Sequence, residues 1–238
     1  MALIETLPVR EVLRIAAAPF HKFIVGVDLG QSHDPTALCV LHHHRDPLRQ
    51  WNMTTNTPEL VVHKQEAVEF YDVRHLERLP LGLSYPAVVE HVALILARPP
   101  LNNGAGAELV IDETGVGRAV GDIFEDAGMR PQRVTITAGN EATAGHGRNR
   151  HHVAKGILIS TLDARLHTGE LRFAAELTEA GAMAEELKDF RRKVSTAGRY
   201  SYDARTGKHD DLVLAAALAL WWAVRPGPPV MTVLNYGI

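Results

Sequence analysis

The stretch FIVGVDLGQSHDPTALCVLHHH, residues 23–44, contains two apolar runs separated by a polar segment. The runs 23–27 and 36–42 are rich in residues that favour strands, and residues 30–35 between them have turn chemistry. The stretch therefore predicts a β-hairpin. Asp28 ends its first strand, and a carboxylate at the end of a buried strand is a candidate for a functional group.

The rest of the chain alternates between predicted strands and helices. Further strands are predicted at residues 69–73, 108–112 and 133–137, with a short extended piece at 171–173 and another strand at 199–203. Helices are predicted at 85–96, 119–127, 153–166, 177–190 and 211–224, and a mobile loop at 138–150. Three antiparallel strands followed by alternating helices and strands predict an α/β fold, with a mixed sheet of five or slightly more strands and helices on both faces.

The bulk properties are those of an ordinary globular protein. A chain of 238 residues with 46% hydrophobic residues can bury a normal core, and we expect one domain over residues 23–225, between an extension at 1–22 and a tail at 226–238. The single cysteine, Cys39, cannot form an internal disulfide and is predicted to be a small core residue. No apolar run reaches the ~18 residues of a membrane span, so no membrane contact is expected.

Carboxylates stand at the ends of three predicted elements. Asp28 and Asp112 each end a strand, and Asp210 and Asp211 open the last helix. Taken singly, each has an ordinary explanation as a cap of the turn or helix that follows, or as a favourable charge near a helix start. Taken together, they indicate a shared site, because like charges at close range are unfavourable unless a cation lies between them.

Oxygen-rich clusters of this kind suit Mg²⁺ or Mn²⁺. Two such ions about 3.5–4 Å apart activate the attacking water and stabilise the leaving oxygen in phosphodiester hydrolysis. We therefore predict a two-metal site in which Asp28 bridges the ions and Asp112 holds one of them. Either Asp210 or Asp211 would hold the other.

Three motifs, GVDLGQSHDPTALCVL, VIDETGVG and GKHDDLVLAAALA, resemble the acidic motifs of the nuclease domain of phage and prophage terminase large subunits. The resemblance covers nearly the whole chain, and the first and third motifs are fairly specific together. It implies the ribonuclease H-like fold, which that domain shares with Holliday-junction resolvases. It also implies a metal-dependent endonuclease that cuts concatemeric double-stranded viral DNA during genome packaging.

The resemblance also implies which residues act. The metal ligands would be Asp28, Asp112 and one of the Asp210/Asp211 pair, with Glu113 as a less favoured substitute for Asp112. His209 could lie near the site or could be a surface residue at the helix start.

One feature of the family is missing from this sequence. Terminase large subunits carry an ATPase motor with a phosphate-binding loop of the pattern G-x-x-x-x-G-K-[ST], which does not occur here. We therefore expect a nuclease without its own motor. The implied partners are double-stranded DNA and a separate packaging ATPase, a small terminase subunit or a portal, in the cytoplasm of a bacterial host of a phage or prophage.

Two basic stretches are candidates for contact with the DNA backbone. They contain Arg148, Arg150 and Lys155 in the first, and Arg191, Arg192 and Lys193 in the second. Because the net charge is −3, DNA binding must come from such local patches rather than from the field of the whole protein. Each of these side chains could also lie on an ordinary solvated face.

Three alternatives fit parts of the pattern. Sugar kinases and actin-like ATPases also use D-x-G after a first strand and a later acidic, glycine-rich turn, which IDETGVG resembles. That architecture needs two such domains to enclose ATP and leaves the Asp-Asp helix start without a role. A catalytically idle DNA-binding or assembly module would keep the fold. Another ribonuclease H-like enzyme, such as a junction resolvase or a transposase, would differ in the DNA structure that it prefers.

Overall fold

The computed structural model describes residues 20–30, 34–45, 49–52, 57–60, 69–104, 106–147, 149–174, 176–191 and 209–225. The strands are β1 (Phe20–Asp28), β2 (Ala37–Arg45), β3 (Arg49–Asn52), β4 (Thr57–Leu60), β5 (Glu69–Arg78), β6 (Glu108–Asp112), β7 (Gln132–Thr137), β8 (Ala142–Ala144), β9 (Arg150–Ala154) and β10 (Leu171–Phe173). The helices are α1 (Tyr85–Leu96), α2 (Arg118–Asp126), α3 (Lys155–His167), α4 (Ala180–Arg191) and α5 (Asp211–Val224).

Eight strands form one mixed sheet in the order β10-β5-β2-β1-β6-β7-β9-β8, and β3 pairs with β4 in a separate hairpin. β2 runs antiparallel to both β1 and β5, whereas β6, β7 and β9 run parallel to β1. The five central strands correspond to the strands predicted at residues 23–27, 36–42, 69–73, 108–112 and 133–137. The predicted α/β class with a mixed sheet is thus confirmed.

Helices cover both faces of the sheet. Because side chains alternate along a strand, Ile24 of β1 faces the layer that contains α3 and α5, while Val25 faces the layer of α1 and α2. α5 is buried along most of its length and lies against β1 and β2, as expected for a helix that is apolar on all sides. Cys39 is a buried core residue, as predicted. Among the described residues, no helix is long and apolar enough to cross a membrane.

Gly26 allows α5 to lie directly on β1. A Cβ atom at Gly26 would lie 2.1 Å from the carbonyl oxygen of Ala215 and 3.0 Å from Cβ of Ala219, so only a residue without a side chain permits this approach. Asp211 lies one helical turn before Ala215, and Asp28 lies two residues beyond Gly26. The contact therefore brings the start of α5 to the end of β1.

The turn after β1 is closely packed as well. A Cβ atom at Gly30 would lie 2.1 Å from the carbonyl oxygen of Asp34. The backbone N–H of Gly30 donates to Thr36 Oγ1 at 3.1 Å, and the carbonyl of Thr36 accepts from the N–H of Leu79 at 2.8 Å. The glycine and the threonine of the first motif therefore join β1, β2 and the end of β5.

Some predicted boundaries were wrong. Residues 138–150 are not a single loop, because β8 lies within them and β9 begins at Arg150. The helix predicted from residue 153 begins at Lys155 instead. Val153 and Ala154 belong to β9, where they pair with Ile136 and Thr137 of β7. The hairpin of β3 and β4 was not predicted. The strand predicted at 199–203 lies outside the described residues.

Candidate metal centre

The ends of β1 and β6 place Asp28 and Asp112 side by side. The two residues are register partners in the parallel pair of these strands, and neighbouring strands lie about 4.8 Å apart. Asp112 is 6% exposed and Asp28 is half-buried. Both carboxylates therefore lie at the edge of the sheet where the parallel strands end, which is the usual position of ligand sites in α/β folds.

Thr114 fixes one oxygen of Asp112. Asp112 Oδ1 accepts hydrogen bonds from the backbone N–H of Thr114 at 2.8 Å and from its hydroxyl group. The hydroxyl oxygen of Thr114 in turn accepts from the N–H of Ile136 in β7 at 2.6 Å. Because these bonds engage Oδ1, Oδ2 of Asp112 is the oxygen that is better placed to bind a cation.

The start of α5 supplies two further carboxylates in different surroundings. Asp211 is 4% exposed, and its Oδ2 lies 3.4 Å from Arg78 Nε and 3.7 Å from His209 Nδ1. Asp210 is more exposed and accepts a hydrogen bond from Lys155 Nζ at 2.7 Å. His209 therefore lies beside the carboxylates, with about half of its side chain exposed.

Arg78 and Glu186 support Asp211. Arg78 forms an ion pair with Glu186, and Glu186 Oε2 accepts a hydrogen bond from the N–H of Val213 in the first turn of α5 at 3.0 Å. Burial raises the pKa of Glu186 to about 7, and the negative charges of Asp211 and Asp210 raise it further. The hydrogen bond from Val213 and the positive charge of Arg78 act in the opposite direction. α4 thus places a further carboxylate next to the start of α5.

The pKa shifts are those of a crowded set of carboxylates. Burial first, and then the charges of Asp112, Asp211 and Asp210, raise the pKa of Asp28 well above its ordinary value, while Lys155 opposes the rise. Burial raises the pKa of Asp112 to about 6, although its bonds to Thr114 act in the other direction. Burial also raises the pKa of Asp211. A bound cation would offset the mutual repulsion of such a set and favour its ionised form.

The donor set fits a hard divalent cation. The groups that converge are carboxylate oxygens, which Mg²⁺ and Mn²⁺ prefer. Asp211 Oδ2 is buried and accepts no hydrogen bond from the part of the chain that the structure describes, although buried oxygens are normally satisfied. An ion held by Asp28, Asp112 and Asp211 would satisfy this oxygen and remove the mutual repulsion.

Glu113 belongs to another network. Its Oε2 accepts a hydrogen bond from Arg133 Nε at 2.8 Å, and its Oε1 lies 3.8 Å from Arg150 Nη1. Arg133 is itself 1% exposed and also bonds Asp122 and Glu125. The carboxylate of Glu113 is therefore already compensated by arginine.

The residues predicted to contact DNA lie in different parts of the structure. Asp28, Asp112, Asp210 and Asp211 together form the carboxylate cluster. Lys155, at the start of α3, donates a hydrogen bond to Asp210 of this cluster. Arg150 lines a recess of about 180 Å³ together with Arg118, His146 and His152. Arg148, Arg192 and Lys193 lie outside the described residues, and only the backbone of Arg191 is described.

Sequence reasoning missed three supporting residues. Thr114 could have been found, because a hydroxyl side chain two residues after an Asp commonly bonds to it or to nearby backbone. Arg78 and Glu186 carry no such local signal, since they reach Asp211 from β5 and α4. Lys155 was predicted only as a DNA contact. It lies beside Asp210 because it follows directly after Ala154, the last residue of β9.

The fold and the site define a class of protein: an α/β domain with a mixed sheet and a carboxylate cluster where its central parallel strands end. The chain is similar to the large terminase nuclease from thermophilic phage G20c, with 18% identity over 84% of this chain and 81% of that chain and a TM-score of 0.48. It is also similar to the human cytomegalovirus terminase nuclease domain, with 14% identity over 85% of this chain and 83% of that chain and a TM-score of 0.45. No protein-family model and no curated protein matches the sequence.

Proposed function

We propose that this protein is a divalent-metal-dependent endonuclease that hydrolyses DNA phosphodiester bonds. The observation that carries the proposal is the register pairing of Asp28 with Asp112 at the ends of β1 and β6. Burial first, and then the charges of Asp112, Asp211 and Asp210, raise the pKa of Asp28, which supports the convergence of these carboxylates on the same place. Such a set of oxygen donors suits metal-assisted phosphodiester hydrolysis.

The residues take distinct roles in this proposal. Asp28, Asp112 and Asp211 would hold Mg²⁺ or Mn²⁺, with Asp112 offering Oδ2, the oxygen that its bonds to Thr114 leave available. We assign Asp211 rather than Asp210 because Asp210 already accepts a hydrogen bond from Lys155. The bound ions would supply an activated water and stabilise the leaving oxygen.

The chain's own cations assist in this arrangement. Arg78 lies 3.4 Å from Asp211 Oδ2 and holds that carboxylate at the start of α5. Lys155 holds Asp210 and reduces the negative charge that a DNA phosphate would meet on approaching Asp28. Arg150 and Arg118, which line the recess beyond Glu113, offer positive charge for the phosphate backbone of the bound strand.

The biological role that we propose is cleavage of concatemeric viral DNA during genome packaging. The three acidic motifs of the sequence support this role. The substrate is then double-stranded DNA, and a separate packaging ATPase, a small terminase subunit or a portal would present it in the cytoplasm of a bacterial host. Contacts to the phosphate backbone would dominate DNA binding, with little readout of base sequence.

The decisive experiment is cleavage of supercoiled plasmid by the purified chain. We expect nicking or linearisation with Mn²⁺ or Mg²⁺, none with EDTA, and loss of cleavage in Asp28→Asn. Asp126→Asn is the matched control, because Asp126 is an exposed aspartate at the end of α2, away from the cluster. If native protein and Asp28→Asn cut alike, the activity comes from elsewhere and the assignment is wrong.

Two further arms separate the alternatives. A four-way junction cut in preference to linear duplex would indicate a junction resolvase rather than a terminase-type nuclease. If no DNA is cut at low salt, a thermal shift with ATP distinguishes an actin-like nucleotide-binding protein, which ATP stabilises, from an idle assembly module, which it does not.

A further inference from the structure

A second group of metal-binding side chains lies far from the carboxylate cluster. In the sheet register, His21 of β1 is opposite His44 of β2, and His42 of β2 is opposite Asp72 of β5. Directly paired residues of neighbouring strands point to the same face, and residues two apart on one strand do so as well. Three strands therefore place these four side chains together on one face.

The distances between these side chains are short. His42, His44 and Asp72 each offer one ligand atom, and these three atoms lie within 4.8 Å of one another. His44 Nε2 lies 3.1 Å from Asp72 Oδ2, and His21 Nδ1 lies 3.1 Å from His42 Nε2. With metal–nitrogen bonds of about 2.0–2.1 Å, ligand atoms of a tetrahedral zinc site lie about 3.3 Å apart.

We propose that His42, His44 and Asp72 form a binding site for a transition-metal ion of the Zn²⁺ class, with His21 beside His42 as a neighbouring imidazole. The site is chemically unlike the carboxylate cluster. Imidazole nitrogen suits Zn²⁺, Cu²⁺ and Ni²⁺, whereas Mg²⁺ prefers oxygen. It is also distant, since His21 and Asp28 are seven residues apart on β1, or about 23 Å at the rise of a strand.

The surroundings make the site accessible to an ion. These residues line a cleft of about 790 Å³ between the sheet and the end of α1, together with Arg74, His75, Glu77 and His91. Burial lowers the pKa of His42 to about 4, and the neighbouring His44 and His21 add to this effect. Neutral imidazole is the form of histidine that binds metals.

Two features oppose binding and must change when the ion enters. The rings of His42 and His44 stack with their centroids 4.5 Å apart and their planes at 19°, so they must rotate about χ2 to direct both lone pairs at one point. Arg172 also competes for Asp72, because its Nε lies 2.6 Å from Oδ1 and its Nη2 lies 3.0 Å from Oδ2. Binding of a metal through Oδ2 replaces the second of these contacts.

The competition by Arg172 gives the proposal a distinctive test. We would titrate the full chain with Zn²⁺ by calorimetry in excess Mg²⁺, which occupies oxygen-donor sites. We expect one saturable equivalent in the native protein and an affinity at least about 100-fold lower in the double variant His42→Ala/His44→Ala, since even residues around metal ligands typically contribute about 10–100-fold. Arg172→Gln is expected to bind Zn²⁺ several-fold more tightly, which a merely surface-adsorbed ion would not do.

The controls distinguish binding at the proposed site from binding at other histidines of the chain. His43→Gln keeps binding, because His43 lies between the two ligands in β2 but faces the other side of the sheet, where it contacts Glu69 and Tyr71. His152→Gln removes an exposed histidine of β9 and also keeps binding. Should the double variant fail to fold by circular dichroism, Asp72→Asn and His42→Gln are tested singly. Absence of saturable Zn²⁺ binding in the native chain, or binding unchanged by loss of these ligands, overturns the proposal.

Discussion

Asp28 and Asp112 are register partners at the ends of the parallel strands β1 and β6, so that two carboxylates lie side by side at one edge of the central sheet. The start of α5 adds further negative charge, and burial together with the charges of Asp112, Asp211 and Asp210 raises the pKa of Asp28. Repulsion between these carboxylates lowers the stability of the folded protein unless a bound cation offsets it. The predictions on Asp28 and Asp112 follow from this relationship.

Asp28→Asn should stabilise the metal-free protein. The amide is nearly isosteric and removes the charge that Asp112, Asp211 and Asp210 oppose. In EDTA we expect the variant to melt a few degrees above the native protein, since about 1 kcal/mol shifts the Tm of a chain of this size by roughly 2–4 °C. Mn²⁺ should raise the Tm of the native protein and not that of the variant.

Asp126→Asn is again the control, and its Tm should follow that of the native protein with and without Mn²⁺. A variant Asp28→Asn that melts below the native protein in EDTA, together with a native Tm indifferent to Mn²⁺, would show that Asp28 is not in a repelling cluster.

The stability of the metal-free protein should depend on the titration of Asp112. Its pKa is about 6 in the folded state, above the ordinary 3.8, so the folded state binds the proton more tightly than the unfolded state. Stability therefore falls as pH rises from about 4 through about 6, by a contribution on the order of 2–3 kcal/mol that is fully lost above this window.

This prediction is measured as a difference between native protein and Asp112→Asn, because histidines of depressed pKa such as His42 and His151 destabilise the fold at the acidic end. Urea unfolding in EDTA between about pH 4.5 and about pH 7.5 should show the native protein losing stability relative to the variant as pH rises. Parallel curves for the two proteins would contradict the raised pKa.

Gly26→Ala should disrupt the packing of α5 on β1. The new methyl group would lie 2.1 Å from the carbonyl oxygen of Ala215, and overpacking of this kind costs about 1–3 kcal/mol or more. Because Asp211 begins the same helix, we expect cleavage to fall as well. Urea unfolding and plasmid cleavage measure the two effects.

The matched control is Gly181→Ala near the start of α4, where a Cβ atom meets nothing within 4 Å. It should leave stability unchanged or raise it by up to about 1 kcal/mol, as alanine favours a helix. Equal behaviour of the two variants would mean that α5 does not depend on the contact at Gly26.

Glu113→Gln should separate structure from metal binding. Glu113 pairs with the buried Arg133, and loss of this charged hydrogen bond costs about 1.5–3 kcal/mol. We therefore expect a lower free energy of unfolding but an unchanged dependence of cleavage on Mn²⁺ concentration. A shifted Mn²⁺ dependence would instead make Glu113 a metal ligand in place of Asp112.

Asp211→Asn and Asp210→Asn should differ in cleavage. We expect Asp211→Asn to lose at least about 100-fold in rate as a metal ligand, and Asp210→Asn to lose only about tenfold as a partner of Lys155. Single-turnover cleavage at saturating Mn²⁺ measures both rates. The reverse order would assign the ligand to Asp210.

Local patterns predicted much of the fold. The bounds of α1, β6 and α5 agree with the predicted segments 85–96, 108–112 and 211–224, because helical spacing, buried apolar runs and Pro or Gly stops all act within a few residues. Val153 and Ala154 were predicted to be helical but lie in strand β9, and local patterns could not reveal this. Their strand form depends on pairing with β7, a contact between distant segments.

The sequence alone determined that carboxylates stand at the ends of two strands and at the start of a helix, and that the strands alternate with helices. Only the tertiary structure decided that Asp28 is opposite Asp112, that Gly26 admits α5 beside them, and that Lys155 reaches Asp210. It also decided that histidines of β1 and β2 meet Asp72 of β5. The physical reason is that periodicity and turn chemistry act locally, whereas sheet register and helix packing are set by the burial of side chains far apart in the chain.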